Sequence, residues 1–188
     1  MPELLAPVAQ HPAVRAVYEM LEPWRAGIAE VTEILFGDYA PDDPDDASDD
    51  VMLFIRPRNP CAAPVEVHVY AAETDRVDVV IDRWSHVARV LGVAYPFRKK
   101  TIDYYVCGGF GFVTLDHARS VIEAAARGDI RVTGAFLRGR LRGTTVTLRW
   151  PDGSKSTGSM GMAASARLLS VVGLAEMKSF QYEPWHTD

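Results

Sequence analysis

Apolar positions recur at helical spacing from His11 to Phe36, at Val14, Val17, Tyr18, Leu21, Trp24, Ile28, Val31, Ile34 and Leu35. Pro23 and Gly27 interrupt this stretch, so the pattern predicts one kinked helix or two shorter ones, closed by Gly37 and Pro41. Past residue 50 the period changes to two, and residues 51–55, 65–71, 76–82, 101–106 and 110–113 read as strands, with a short helix at 83–91 ended by Gly92. Thr114 is placed to cap a helix at 115–127, with Gly128 just beyond its end. Strands resume at 130–137, 138–142 and 145–150. A last helix is expected at 160–172, between Ser159 as N-cap and Gly173 as stop, and a strand at 176–182 closes the chain. Phe180, Tyr182 and Trp185 are expected to pack into the core there.

Strands that come in hairpins, with helices scattered between them, predict an α+β fold. Its expected form is a largely antiparallel sheet built from hairpins, with an N-terminal helical segment and two or three further helices. The 188 residues suit a single domain, with the helical segment at 1–37, an acidic loop at 38–50 and a mixed α+β core at 51–188.

The register of two hairpins follows from the same pattern. Val65, Val67 and Val69 alternate with Glu66, His68 and Tyr70, and Val77, Val79 and Ile81 alternate with Arg76 and Asp78. Burying both apolar sets together requires Val69 opposite Val77 and Val67 opposite Val79, because a one-residue slip turns one set into water. His68 then faces Asp78, and Tyr70 faces Arg76. A carboxylate that fixes an imidazole tautomer makes a general-base dyad, so His68 and Asp78 are candidate catalytic residues. The plainer reading is a surface ion pair, since no nucleophile is placed beside them.

In the second hairpin Leu137, Gly139 and Leu141 alternate with Arg138, Arg140 and Arg142, and Thr145, Thr147 and Arg149 alternate with Val146, Leu148 and Trp150. A two-residue turn at Gly143-Thr144 would set Arg142 opposite Thr145, Arg140 opposite Thr147 and Arg138 opposite Arg149. Like charges directly opposed are unfavourable unless an anion lies between them. With Lys155 just beyond the turn at 151–153, the residues Arg138, Arg140, Arg142, Arg149 and Lys155 form a candidate site for a carboxylate or phosphate. The alternative is a solvated outer face whose charges deter edge-to-edge association.

The net charge of −5 and the pI near 5.5 conceal an asymmetry. Residues 1–97 carry 7 Lys/Arg against 17 Asp/Glu, and residues 98–188 carry 13 against 8. The acidic excess is concentrated in Asp42, Asp43, Asp45, Asp46, Asp49 and Asp50, a run without large apolar residues that is expected to be a surface loop and a partner-binding element. It does not place Gly and a terminal carboxylate as an EF-hand loop requires. Arginine outnumbers lysine 16 to 4, a ratio that GC-rich bacterial codon usage also produces.

No metal site or cofactor is expected. The five histidines and two cysteines show no ligand spacing, and the glycines at 108, 109 and 111 lack the dinucleotide fingerprint. The segment Gly153-Ser154-Lys155-Ser156 lacks the Gly that must precede the lysine of a phosphate loop, although residues 154–159 would lead to a helix N-terminus, a generic anion site. No apolar run is long enough to span a membrane, and the cysteine count and the amino-terminal composition fit a cytoplasmic protein. The expectation is therefore a cytoplasmic bacterial binding protein acting through charged surfaces on a protein partner, in the manner of an inhibitor or immunity protein. The alternatives are an enzyme or binding protein for an anionic small molecule held by the arginine cluster, and a nucleic-acid binder through an arginine-rich ribbon. The acidic pI disfavours the last.

Overall fold

His11 opens the first helix: its Nδ1 accepts the Ala13 N–H at 3.2 Å, and Pro12 stands in the first turn, where a missing N–H does no harm. Helix α1 (Pro12–Leu21) buries Ala13, Val14, Val17, Tyr18, Met20 and Leu21. Pro23 then lies in a 3-10 turn, Glu22–Gly27, after which the backbone becomes extended. In the computed structural model, which describes residues 10–35, 50–81, 109–138, 140–161, 170–171 and 173–186, the second half of the expected helical stretch is strand β1 (Ile28–Leu35). The reason is local. Ile28, Val31, Thr32 and Ile34 are β-branched and favour extended backbone, and their spacing over eight residues fits either period.

The chain continues as β2 (Val51–Pro57), β3 (Val65–Val69), β4 (Arg76–Ile81), β5 (Gly109–Thr114), helix α2 (Leu115–Ala126), β6 (Ile130–Leu137), β7 (Arg140–Arg149), β8 (Lys155–Gly161) and β9 (Ala175–Gln181). The Thr114 hydroxyl caps α2 by accepting the His117 N–H at 3.3 Å, and Gly128 follows it at φ +73°. Strands β1 to β5 form an antiparallel meander in chain order, and the other four form a second antiparallel sheet in the order β8-β7-β6-β9. The architecture is antiparallel α+β with an N-terminal helix, but in two sheets; α2 is the one further helix described along its length, and residues 170 and 171, near the end of the helix expected at 160–172, are also helical. The expected helix at 83–91 and strand at 101–106 lie outside those residues. The expected helix start at Ser159 is corrected, because Ser159 and Met160 pair with Thr145 and Thr144 as part of β8. The polar run from Ser154 therefore feeds a strand and offers no helix N-terminus.

One apolar core serves both sheets. Leu53, Ile55, Val67 and Val79 from the meander meet Ile130, Val132, Val146 and Leu148 from the second sheet, with Val14 and Val17 of α1 and Val121 and Ile122 of α2. Tyr18 of α1 also reaches into this layer, and its phenol donates to Glu33 Oε1 of β1 at 2.6 Å. Burial and that carboxylate together push the phenol pKa up.

The carboxyl-terminal segment after β9 ties these parts to one another. Tyr182 N–H donates to Ile130 O at 3.0 Å, Glu183 N–H to Cys61 O at 3.1 Å and Trp185 N–H to Ala126 O at 2.9 Å. The Trp185 indole donates to Ala63 O at 2.8 Å, with its side chain almost wholly buried. Backbone passes so close here that a Cβ at Gly27 would lie 2.8 Å from the Trp185 carbonyl carbon, and one at Gly128 would lie 2.8 Å from that of Glu183.

Trp185→Ala should therefore destabilise the protein by about 3–5 kcal/mol, and Gly27→Ala by about 1–3 kcal/mol through overpacking against backbone that cannot yield. Thr157→Ala, at an exposed site, should stay within about 0.5 kcal/mol. Urea unfolding midpoints check all three, and equal midpoints for Gly27→Ala and the parent would contradict the close approach.

Candidate functional site

Two groups of polar side chains stand on faces turned away from the core. The first is on the meander. Val67 pairs with Val79 and Val69 with Val77, and this register sets His68 opposite Asp78, as the alternation of the two strands requires. On the same face Met52 of β2 lies opposite His68, and Phe54 opposite Glu66. Glu66 and His68 are two residues apart on β3, and His68 Nε2 lies 3.6 Å from Glu66 Oε2, with side-chain exposures of 23% and 11% for His68 and Glu66. Tyr70, two residues further on, donates its phenol O–H to Asp78 Oδ2 at 2.6 Å.

The result is a row of acid–base groups, Glu66, His68, Asp78 and Tyr70. Burial is the first cause that pushes the Tyr70 pKa up to about 12, followed by the hydrogen bond to Asp78 and the charges of Asp78 and Asp50. The sequence pattern paired Tyr70 with Arg76 and did not single out the diagonal reach to Asp78. An aromatic side chain spans the distance to the position two residues from its direct partner, so the contact was available in the register already derived. Glu66 was likewise legible, as the residue one alternation before His68. Such a row can accept, hold or pass a proton. Among the described residues no three His, Cys, Asp or Glu side chains converge to hold a metal ion.

Of the six aspartates expected to meet a partner, Asp42, Asp43, Asp45, Asp46 and Asp49 lie outside the described residues. Asp50 is described, and its Oδ1 accepts the Ala71 N–H at 2.6 Å, fastening the connection from β3 to β4.

The second group is basic, and here the expected register is corrected. Strand β7 pairs with β6 through Leu137 with Arg140, Phe136 with Leu141, Ala135 with Gly143 and onward to Ile130 with Leu148, so the hairpin turns just after Leu137 and not at Gly143-Thr144. Arg138 takes φ +52° in that turn. Arg142 is the extra residue of a bulge between Leu141 and Gly143. The longer ladder wins because it buries Val132 with Val146 and Ile130 with Leu148 along all of β6, whereas the shorter hairpin would leave β6 without that partner. Arg138 and Arg149 are therefore not cross-strand neighbours, nor do Arg140 and Arg142 oppose Thr147 and Thr145. Arg142 and Arg149 are separated along β7 by about 23 Å at roughly 3.3 Å per residue.

What the structure brings together instead is Arg149 and Lys155, directly opposite each other across the β7–β8 hairpin. Arg131 of β6 lies one outward row along, opposite Thr147, which in turn faces Thr157. Arg131, Arg149 and Lys155 are all exposed. The turn between β7 and β8 is firmly built, with Gly153 N–H on Trp150 O, Trp150 N–H on Ser154 O and the Trp150 indole on Ser156 Oγ at 2.8 Å. The two carboxylates nearest in sequence are engaged elsewhere. Asp129 accepts from Arg127 Nε at 3.1 Å. Asp152 accepts from Ser154 Oγ and N at 2.6 and 2.8 Å, and these hydrogen bonds hold its carboxyl below the usual range. No described carboxylate lies within ion-pair distance of Arg131, Arg149 or Lys155. Sequence reasoning missed Arg131, although it is the one charged residue within β6.

No protein-family model, curated protein or solved structure matches the chain.

The Tyr70 phenol yields a pH prediction. A pKa raised from 10.0 to about 12 means that the folded state favours the protonated phenol. Its contribution to stability is whole below pH 10.0 and is lost as the pH climbs through about 12. Tyr70→Phe should remove one tyrosinate that forms near pH 12, as followed by near-ultraviolet absorbance. Loss of a tyrosinate that forms near pH 10.0 instead would contradict the Asp78 contact.

Proposed function

We propose that this chain is a binding protein that acts through its charged surfaces on a protein partner. The observation that supports this reading most strongly is Arg149 held directly opposite Lys155, with Arg131 beside them and no described carboxylate within ion-pair distance, the neighbouring Asp129 being paired with Arg127. Directly opposed like charges weaken a sheet, at a level of about 0.2–1 kcal/mol per pair. That repulsion is relieved when an anionic surface covers the pair. Electrostatic complementarity of this kind steers encounter and makes association sensitive to salt. A cytoplasmic bacterial inhibitor, of the kind that neutralises a toxin, is the role this reading favours.

The enzymatic alternative required His68 and Asp78 to line one cavity with the arginine cluster. They stand on the meander face turned from the shared core, where Met52, Glu66 and Val80 are buried, the basic group stands exposed on the second sheet, and the five expected cluster members divide between two ends of β7. That separation favours surface recognition over catalysis. For nucleic acid, three exposed cations on a chain of net charge −5 are a small footprint.

The test is capture from cells of the source organism by the immobilised full chain, read by mass spectrometry. A protein should be retained at about 0.05 M salt and released at about 0.5 M, where the screening length falls from over 10 Å to about 4 Å. The double variant Arg149→Glu, Lys155→Glu should retain it at least about tenfold less. Equal retention by the variant, or retention indifferent to salt, would contradict the reading.

A further inference from the structure

Resting on that binding reading, we infer that the basic end of the β8-β7-β6 face is a docking surface for an extended acidic polypeptide segment. The spacing of the cations carries the inference. Arg149 and Lys155, as direct cross-strand partners, form one focus of positive charge with Cβ atoms about 5 Å apart. Arg131 forms a second focus, one strand over and one outward row along, which places it about 8 Å from Arg149 and about 12 Å from Lys155 by ordinary sheet dimensions. The two foci are far enough apart to receive two separate carboxylates. An extended chain presents the side chains of one side about 6.8 Å apart, so alternate Asp or Glu residues bring one carboxylate to each focus. Arginine receives such a carboxylate bidentately. Thr147 and Thr157 complete the row of Arg131 and offer hydroxyl donors between the foci.

Phosphates along a single-stranded nucleic acid have comparable spacing, and what separates the two polymers is stacking. The outward positions around the foci are Thr157, Thr147, Thr133, Ser179 and Gln181, with Asp129, whose carboxylate is held by Arg127, beside Arg149, and none of them offers an aromatic ring on which a base could lie. The Gln181 amide is itself engaged, donating to Gly128 O and Ile130 O at 2.6 and 2.8 Å. An acidic peptide needs only charge and hydroxyl contacts, and both are present.

Fluorescence anisotropy on the full chain tests this with a labelled peptide alternating Glu and Thr, an isomeric peptide with its glutamates in one block, a single-stranded oligothymidylate and inorganic phosphate as competitor. The alternating peptide should bind most tightly at low salt. Arg131→Gln and the pair Arg149→Gln, Lys155→Gln should each weaken it at least about fivefold, and Arg15→Gln on α1, which changes the charge as much as Arg131→Gln does, should leave it unaltered. Tighter binding of the oligothymidylate, displacement by millimolar phosphate, or equal affinity for the Gln variants would overturn the inference. If a cellular protein is still retained in a salt-sensitive manner while the peptide fails, this docking surface is wrong and the binding reading stands. If neither is retained, both fall.

Discussion

The two sheets share no hydrogen-bonded ladder among the described residues, so they are joined by their common apolar core and, within it, by the segment from Tyr182 to Trp185. Its backbone reaches the start of β6, the end of α2 and the connection between β2 and β3, and its two aromatic side chains fill the layer between. Tyr182 and Trp185 are buried, and their donors meet backbone carbonyls. Losing the acceptor of a buried N–H costs about 1–3 kcal/mol, so the segment specifies where the parts sit as well as adding apolar area. The glycines at 27 and 128 are conditions of the same arrangement, since any side chain there would strike the passing backbone.

With the apolar residues drawn to one shared core, the polar alternates of both sheets are left on outward faces, and each sheet uses them differently. On the meander, His68 Nε2 lies 3.6 Å from Glu66 Oε2 and the Tyr70 phenol donates to Asp78. On the second sheet the described carboxylates close to the basic group serve other donors, and none of them lies within ion-pair distance of Arg131, Arg149 or Lys155.

How much of this was legible depended on whether the apolar pattern had one solution. The pairing of His68 with Asp78 followed from valines on two strands that both had to face inward, and no tertiary knowledge was needed. The cap at Thr114 and the left-handed Gly128 followed from local chemistry in the same way. The stretch at 28–35 failed because its apolar spacing satisfied two periods and only the partner strand β2 decided between them. The arginine hairpin failed because a plausible Gly-Thr turn was weighed against no competitor, whereas β6 offered β7 a longer ladder. The cationic pair of Arg149 and Lys155 was hidden by that error, since both residues were singled out but assigned the wrong neighbours. The hydrogen bonds of Trp185 join it to Ala63 and Ala126, contacts that no local pattern encodes.

The account rests on the carboxyl-terminal segment being part of the cooperative core and not a frayed end. Native-state hydrogen exchange of the Trp185 indole N–H, followed by nuclear magnetic resonance alongside the amides of β3 and β6, tests this most directly. If the bond to Ala63 fastens the sheets, that proton exchanges only through global unfolding, with the same free energy and denaturant dependence as the central strand amides. Exchange orders of magnitude faster and insensitive to denaturant would show a segment that opens on its own, and would contradict the account.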